Sequence, residues 1–137
     1  MKRYLMIMLM LIGFGIFGSV NADAQILSYR TTSYAHATIY NGRYYWSDWE
    51  NSNMLVTINL SKEVITIYSP RTQIYSVFGT YNNGNWYNDG SGRTIKYYVY
   101  DQDGDRGEVR LRVENNGNSQ IYVDFSNVAW CYNVRKI

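Results

Sequence analysis

The chain has one cysteine, one proline and one histidine among 137 residues, and each scarcity excludes something. The lone Cys131 closes no internal disulfide, so stability has to come from packing and sheet hydrogen bonds. It is expected as a buried, inert thiol on a strand. The lone His36 has no serine or cysteine in a recognisable nucleophile elbow to activate, so it is expected to be structural. Basic residues number 13 and acidic residues 11, with neither sign gathered into a run. That balance excludes electrostatic recognition of nucleic acid or of an anionic membrane surface. Beyond residue 24 no apolar run approaches the ~20 residues of a membrane-spanning helix.

The one long apolar run is at the start. Lys2-Arg3 precedes an apolar stretch from Tyr4 to Phe17, and small and polar residues then close with Ala22-Asp23-Ala24. A basic start, an apolar middle and an A-x-A site are the marks of a secretory leader. Residues 1–24 are therefore expected to be a signal peptide cleaved before Gln25. An uncleaved anchor is the competing reading, but the run from Tyr4 to Val20 is short and carries three glycines. No cysteine follows the run to take a lipid. Residues 25–137 are expected to be one exported domain, in the periplasm or outside the cell, with 11 basic and 10 acidic residues.

That domain keeps 14 tyrosines, 4 tryptophans and 2 phenylalanines, residue types that suit the half-buried surface of a strand. From Ser33 onward, short runs alternate apolar with polar and are separated by turn residues. The runs are Tyr34–Tyr40, 54–60, Val64–Tyr68, Ile74–Tyr81, Thr94–Asp101, 108–114, 121–125 and 128–134. Asn41-Gly42, Asn82-Asn83-Gly84 and Asn115-Asn116-Gly117-Asn118 punctuate them. Period-two alternation with Asn-Gly turns predicts an all-β, single antiparallel meander of about eight strands. An up-and-down barrel is preferred to a two-sheet sandwich, because closure hides aromatic-rich edges. The stretch 83–93 reads as the longest loop.

Three groups of residues bear on chemistry. The acidic loop Asp101-Gln102-Asp103-Gly104-Asp105-Arg106-Gly107 superficially resembles a calcium loop. Counted from Asp101, however, position 6 is Arg106 and position 12 is Arg112, where glycine and glutamate are required. Asp101, Asp103 and Asp105 are thus weak metal candidates, expected in a hairpin turn with Gly104 and Gly107 at positive φ. The segment Tyr44-Tyr45-Trp46-Ser47-Asp48-Trp49-Glu50 is the densest aromatic cluster. Trp46 and Trp49, with Trp86, are candidate stacking platforms for a sugar or an apolar ligand at a barrel mouth. Being three apart, Trp46 and Trp49 should face opposite sides of an extended chain. Finally, alternation predicts Ile95, Tyr97 and Val99 inward with Val109, Leu111 and Val113. Lys96, Tyr98 and Tyr100 then share an outer face with Glu108, Arg110 and Arg112. Tyr98, Tyr100, Arg110 and Arg112 form a candidate surface for a protein partner.

From Tyr45 onward the chain resembles a group of small exported β-proteins of gut bacteria. The resemblance is carried by Trp46-Ser47-Asp48-Trp49, by 101–107 and by Asn118-Ser119-Gln120-Ile121-Tyr122-Val123-Asp124-Phe125. It implies compartment and lifestyle, with no chemistry to carry over. In architecture alone an eight-strand meander is similar to lipocalin and avidin barrels, although Gly42 and Trp46 are four apart where a lipocalin sets glycine two before tryptophan. The expectation is an exported non-enzymatic binding module of the cell envelope without a cofactor, its partner a small molecule, a glycan or a protein. A small hydrolase of envelope glycans and a structural or assembly protein are the alternatives.

Overall fold

A computed structural model describes residues 26–137, so the expected leader and its cleavage before Gln25 lie outside the described residues. The strands are β1 (Ile26–Tyr40), β2 (Arg43–Trp46), β3 (Glu50–Asn51), β4 (Leu55–Asn59), β5 (Val64–Ile67) and β6 (Gln73–Thr80). A short 3-10 turn at Asn82–Gly84 leads to β7 (Tyr87–Asn88), β8 (Gly92–Tyr100), β9 (Arg106–Glu114), β10 (Ser119–Asp124) and β11 (Val128–Lys136). Eight of these close a ring in the order β1-β4-β5-β6-β8-β9-β10-β11 and back to β1, every neighbour antiparallel. The architecture is the expected up-and-down barrel, lipocalin-like in strand number and order. No helix among the described residues is long and apolar enough to cross a membrane.

Alternation decides what fills the barrel. Val56, Ile58, Ile65, Ile67, Val99, Val109, Leu111, Ile121 and Val123 are all buried, each worth about 1.5–3 kcal/mol when removed from water. Tyr29, Tyr75, Tyr97 and Tyr132 complete the interior. Turns 101–105 and 125–127 stand at one end, here termed the mouth, with the 68–72 connection. Turns 60–63 and 115–118 and the 81–91 connection stand at the other.

β1 is longer than the barrel is tall. Its far half pairs with β2 through Tyr40↔Arg43 and Ala37↔Trp46, forming a hairpin that overhangs the wall. Asn41 at φ 52° and Gly42 at φ 74° supply the left-handed pair that such a two-residue turn needs. β3 and β4 continue along the same edge of β1, at Ser33↔Asn51 and Arg30↔Leu55. β2, β3 and β4 are therefore one interrupted strand. At the first interruption the Ser47 N–H donates to the His36 carbonyl (2.7 Å) and Ser47 Oγ accepts from the His36 N–H (3.0 Å). At the second, Thr31 Oγ1 accepts from the Met54 N–H (2.7 Å) and lies 2.9 Å from Ser52 Oγ.

Two local expectations are corrected. Gly107 does not sit at positive φ; it lies inside β9, where an added Cβ would stand 2.7 Å from the Asp124 carbonyl oxygen. Close approach of neighbouring backbone, not turn geometry, demands glycine there. The opposition of Trp46 and Trp49 fails because the chain is not continuously extended between them.

Candidate functional site

The outer wall over β8, β9, β10, β11 and β1 carries the candidate site. Strand register lines up Lys96, Arg110, Tyr122, Cys131 and Ala35 in one outward row. The next row is Tyr98, Glu108, Asp124, Ala129, Ala37 and Trp46. Outward positions of a barrel are normally solvated, yet Ala35, Ala37, Ala129 and Cys131 are buried. Ala35 and Cys131 share a cavity with Trp46 and Trp49, and Ala37 lies directly beside Trp46.

Under the hairpin lies a cavity of ≈ 350 Å³ lined by Ala35, Trp46, Ser47, Trp49, Tyr122 and Cys131. The break at 47–49, pinned by Ser47 on His36, turns both indoles onto it. Trp46 remains 45% exposed and Trp49 52%, so each keeps about half of its surface open to solvent. Tyr44 stacks on Trp46 with ring centroids 6.1 Å apart at 17°. Tyr44 also borders an adjoining cleft of ≈ 520 Å³ whose polar lining includes Lys96, Glu108, Arg110 and Asp124, with Tyr87 on its wall.

Electrostatics tie the two clefts together. Arg110 donates from Nε (3.1 Å) and Nη2 (2.9 Å) to Asp124 Oδ2 and lies 4.4 Å over the Tyr122 ring. Lys96 pairs with Glu108 at 3.6 Å. Burial, with Cys131 beside it, pushes the Tyr122 hydroxyl up to about 12, and burial pushes the Cys131 thiol up to about 11. Both therefore stay neutral in the physiological range. The site offers aromatic faces beside planar, pre-oriented charged groups, an arrangement that binds and orients.

The expected site residues separate into groups. Trp46 and Trp49 come together, on the outer wall and not in the barrel mouth. Trp86 is not with them: it belongs to the 81–91 connection, with the Arg93 guanidinium 4.9 Å from its ring. Tyr98, Tyr100, Arg110 and Arg112 share the outer face of the β8–β9 hairpin, as expected. Their side chains fall into separate contact groups. Phe78 gathers Tyr98 (6.3 Å), Tyr100 (4.5 Å) and Arg106 (5.1 Å). Arg112 is held by Asp89 (2.7 Å), Ser91 (2.6 Å) and Thr94 (3.2 Å).

The acidic loop is a turn. Asp101 Oδ1 accepts the N–H groups of Asp103 and Asp105, each at 2.9 Å, and Gly104 takes φ 86°. Among the described residues no group of three or more histidine, cysteine, aspartate or glutamate side chains converges on a metal position.

Sequence reasoning placed Tyr44 in the aromatic cluster but missed Tyr122 beside the tryptophans, and missed Glu108 and Asp124 in the cleft that Tyr44 borders. The usable signal was the run of small residues Ala35, Ala37 and Ala129 at outward positions, which asks for a covering element. Neither a family model, nor a curated protein, nor a solved structure matches the chain.

Proposed function

We propose that the domain is an exported, non-enzymatic binding module that takes a carbohydrate in the cleft beneath the Tyr44–Trp49 arm. One observation carries the reading: the interruption at 47–49 places two half-exposed indoles on a single cavity beside paired charges. A pyranose ring has an apolar C–H face that stacks on an indole and a rim of hydroxyls that need fixed donors and acceptors. Arg110 with Asp124, and Lys96 with Glu108, supply both kinds. Exposed aromatic area of this sort is costly in water and marks a contact surface. Export rests on the leader features of residues 1–24.

The test is affinity electrophoresis and calorimetry against a panel of soluble cell-envelope and dietary polysaccharides. Trp46→Ala and Trp49→Ala should each weaken binding about tenfold or more, in keeping with ~1.5 kcal/mol per aromatic contact. Trp86→Ala should leave it unchanged. Binding that survives loss of both indoles in a folded protein refutes the proposal, as does a panel without any binder. The hydrolase alternative draws on Glu108 and Asp124 facing each other across β9 and β10. It requires turnover of a bound glycan that Glu108→Gln abolishes.

A further inference from the structure

The second aromatic concavity opens at the barrel mouth, on the opposite side of the wall from the tryptophan cleft. Alternation along β11 turns Cys131 outward and its neighbours Trp130 and Tyr132 inward, so the two sites share no side chain. The mouth cavity has a volume of ≈ 380 Å³ and is walled by Tyr34, Met54, Pro70, Gln73, Trp130 and Tyr132, with Ser52, Asn53 and Ser69. Tyr34 and Tyr132 stack at 6.1 Å and 28° to form one wall. None of these residues carries a charge.

A polar network lies at the base of the cavity, and its donors can be followed one by one. The Tyr75 hydroxyl donates to Gln73 Oε1. Gln73 Nε2 donates to Ser69 Oγ (3.1 Å) and to the Tyr132 hydroxyl oxygen (3.5 Å). Ser69 Oγ donates in turn to the Arg71 carbonyl (2.6 Å). Tyr132 is 2% exposed, and the one hydrogen-bond partner of its hydroxyl among the described residues is the Gln73 amide at 3.5 Å, the long limit of such a bond. A buried hydroxyl held by a single long contact at a concave aromatic site is free to donate to an acceptor brought in by a ligand.

We infer that the barrel mouth is a second binding site, for a neutral, planar ring compound carrying a hydrogen-bond acceptor for the Tyr132 hydroxyl. The aromatic walls select a flat ring, and Met54, unbranched and polarizable, adapts to its edge. The uncharged lining disfavours an ion, because nothing there offsets the cost of desolvating it. Burial raises the Tyr132 hydroxyl above its ordinary value, so the group remains a donor throughout the physiological range.

Coumarin, a neutral fused bicycle with one carbonyl acceptor, is the probe. Naphthalene matches its shape without the acceptor, and coumarin-3-carboxylate adds a charge. Titration of the isotope-labelled protein, followed by NMR, should give saturable shifts at the Trp130 indole N–H. Naphthalene and the carboxylate should each bind about tenfold more weakly than coumarin. Tyr132→Phe should weaken coumarin about tenfold and leave naphthalene unchanged, the loss expected for one hydrogen bond to a buried donor. Trp46→Ala combined with Trp49→Ala should leave coumarin affinity intact, so this site and the carbohydrate cleft stand or fall separately. Absence of saturable shifts at Trp130 up to the solubility limit overturns the inference. So does equal affinity for coumarin and naphthalene, a comparison made on the unaltered protein and independent of any variant's folding.

Discussion

Replacing Gly107 by alanine tests whether the outer wall is built by close backbone approach. An ideal Cβ there would lie 2.7 Å from the Asp124 carbonyl oxygen and 2.7 Å from Cε1 of the Phe125 ring. The carbonyl distance falls ~0.7 Å short of ordinary contact, and the carbonyl belongs to β10, which cannot swing aside as a side chain can. Relief requires moving β10 off β9 beside the Glu108↔Asp124 pair. That forfeits one or two ladder bonds at ~1 kcal/mol each. It also disturbs the packing of Phe125 on Tyr75, whose rings are 6.0 Å apart, for about 1 kcal/mol. Reduced freedom of the unfolded chain returns ~0.5–1 kcal/mol. The net loss is about 2 kcal/mol, a fall in Tm of roughly 8 °C for a domain of this size. Two alanine controls set the scale. At Gly104 the space is open but φ is +86°, so about 1 kcal/mol of left-handed strain is expected. At Gly79 the nearest atom is 3.6 Å away and φ is ordinary, so alanine should be neutral or slightly stabilising. Differential scanning calorimetry should rank Gly79→Ala above Gly104→Ala above Gly107→Ala. A Gly107→Ala protein as stable as Gly104→Ala would refute the close-approach argument.

The Arg112 guanidinium, aided by the Ser91 amide, holds the Asp89 carboxyl well below the usual carboxylate range. A folded-state value below the unfolded one (~3.9) gives stability that is complete above about pH 5 and is lost as pH falls below ~4. Asp89→Asn should therefore flatten the acid limb of a Tm-against-pH curve, and parallel limbs would exclude the pair as a stability determinant. With its value near 11 against an ordinary 9.0, the Cys131 thiol has about one-hundredth the thiolate of a free cysteine at pH 8. Its reaction with a disulfide reagent should be slower than in the unfolded chain by at least that factor, and comparable rates would show that the cavity is open to its base. A double-mutant cycle on Arg110 and Asp124, read by urea denaturation, should return a coupling of about 1 kcal/mol, the upper end for partly exposed pairs. A coupling near zero would remove that pair as a fixed element of the carbohydrate cleft.

The barrel was legible because its information is local. Alternation in 108–114, 121–125 and 128–134 assigns inside and outside residue by residue, and Asn-Gly turns mark where the chain reverses. The shared outer face of Lys96, Tyr98, Tyr100, Glu108, Arg110 and Arg112 followed from those two signals alone. The site was not legible to the same depth, because its geometry arises where alternation breaks. Residues 43–59 run beside a single strand, but Ser47 and Ser52 bond to the backbone and side chains of β1 in place of continuing the ladder. Each interruption shifts the register, and the shift at 47–49 is what moves Trp49 to the same side as Trp46. A period-two reading necessarily places residues three apart on opposite faces, so it had to misplace this pair. Tyr122 sits more than 70 positions along the chain and meets the tryptophans only after the barrel closes through β11 and β1. Closure and interruption thus have separate roles. Closure brings the β10 wall beneath the β1–β2 hairpin, and interruption turns both indoles down onto it. It follows that deleting Asp48, which restores a continuous strand with the two indoles two apart and so on one face, should leave both the barrel and carbohydrate binding in place. A deletion variant that folded but no longer bound would refute the argument that the break acts by bringing both indoles to one side.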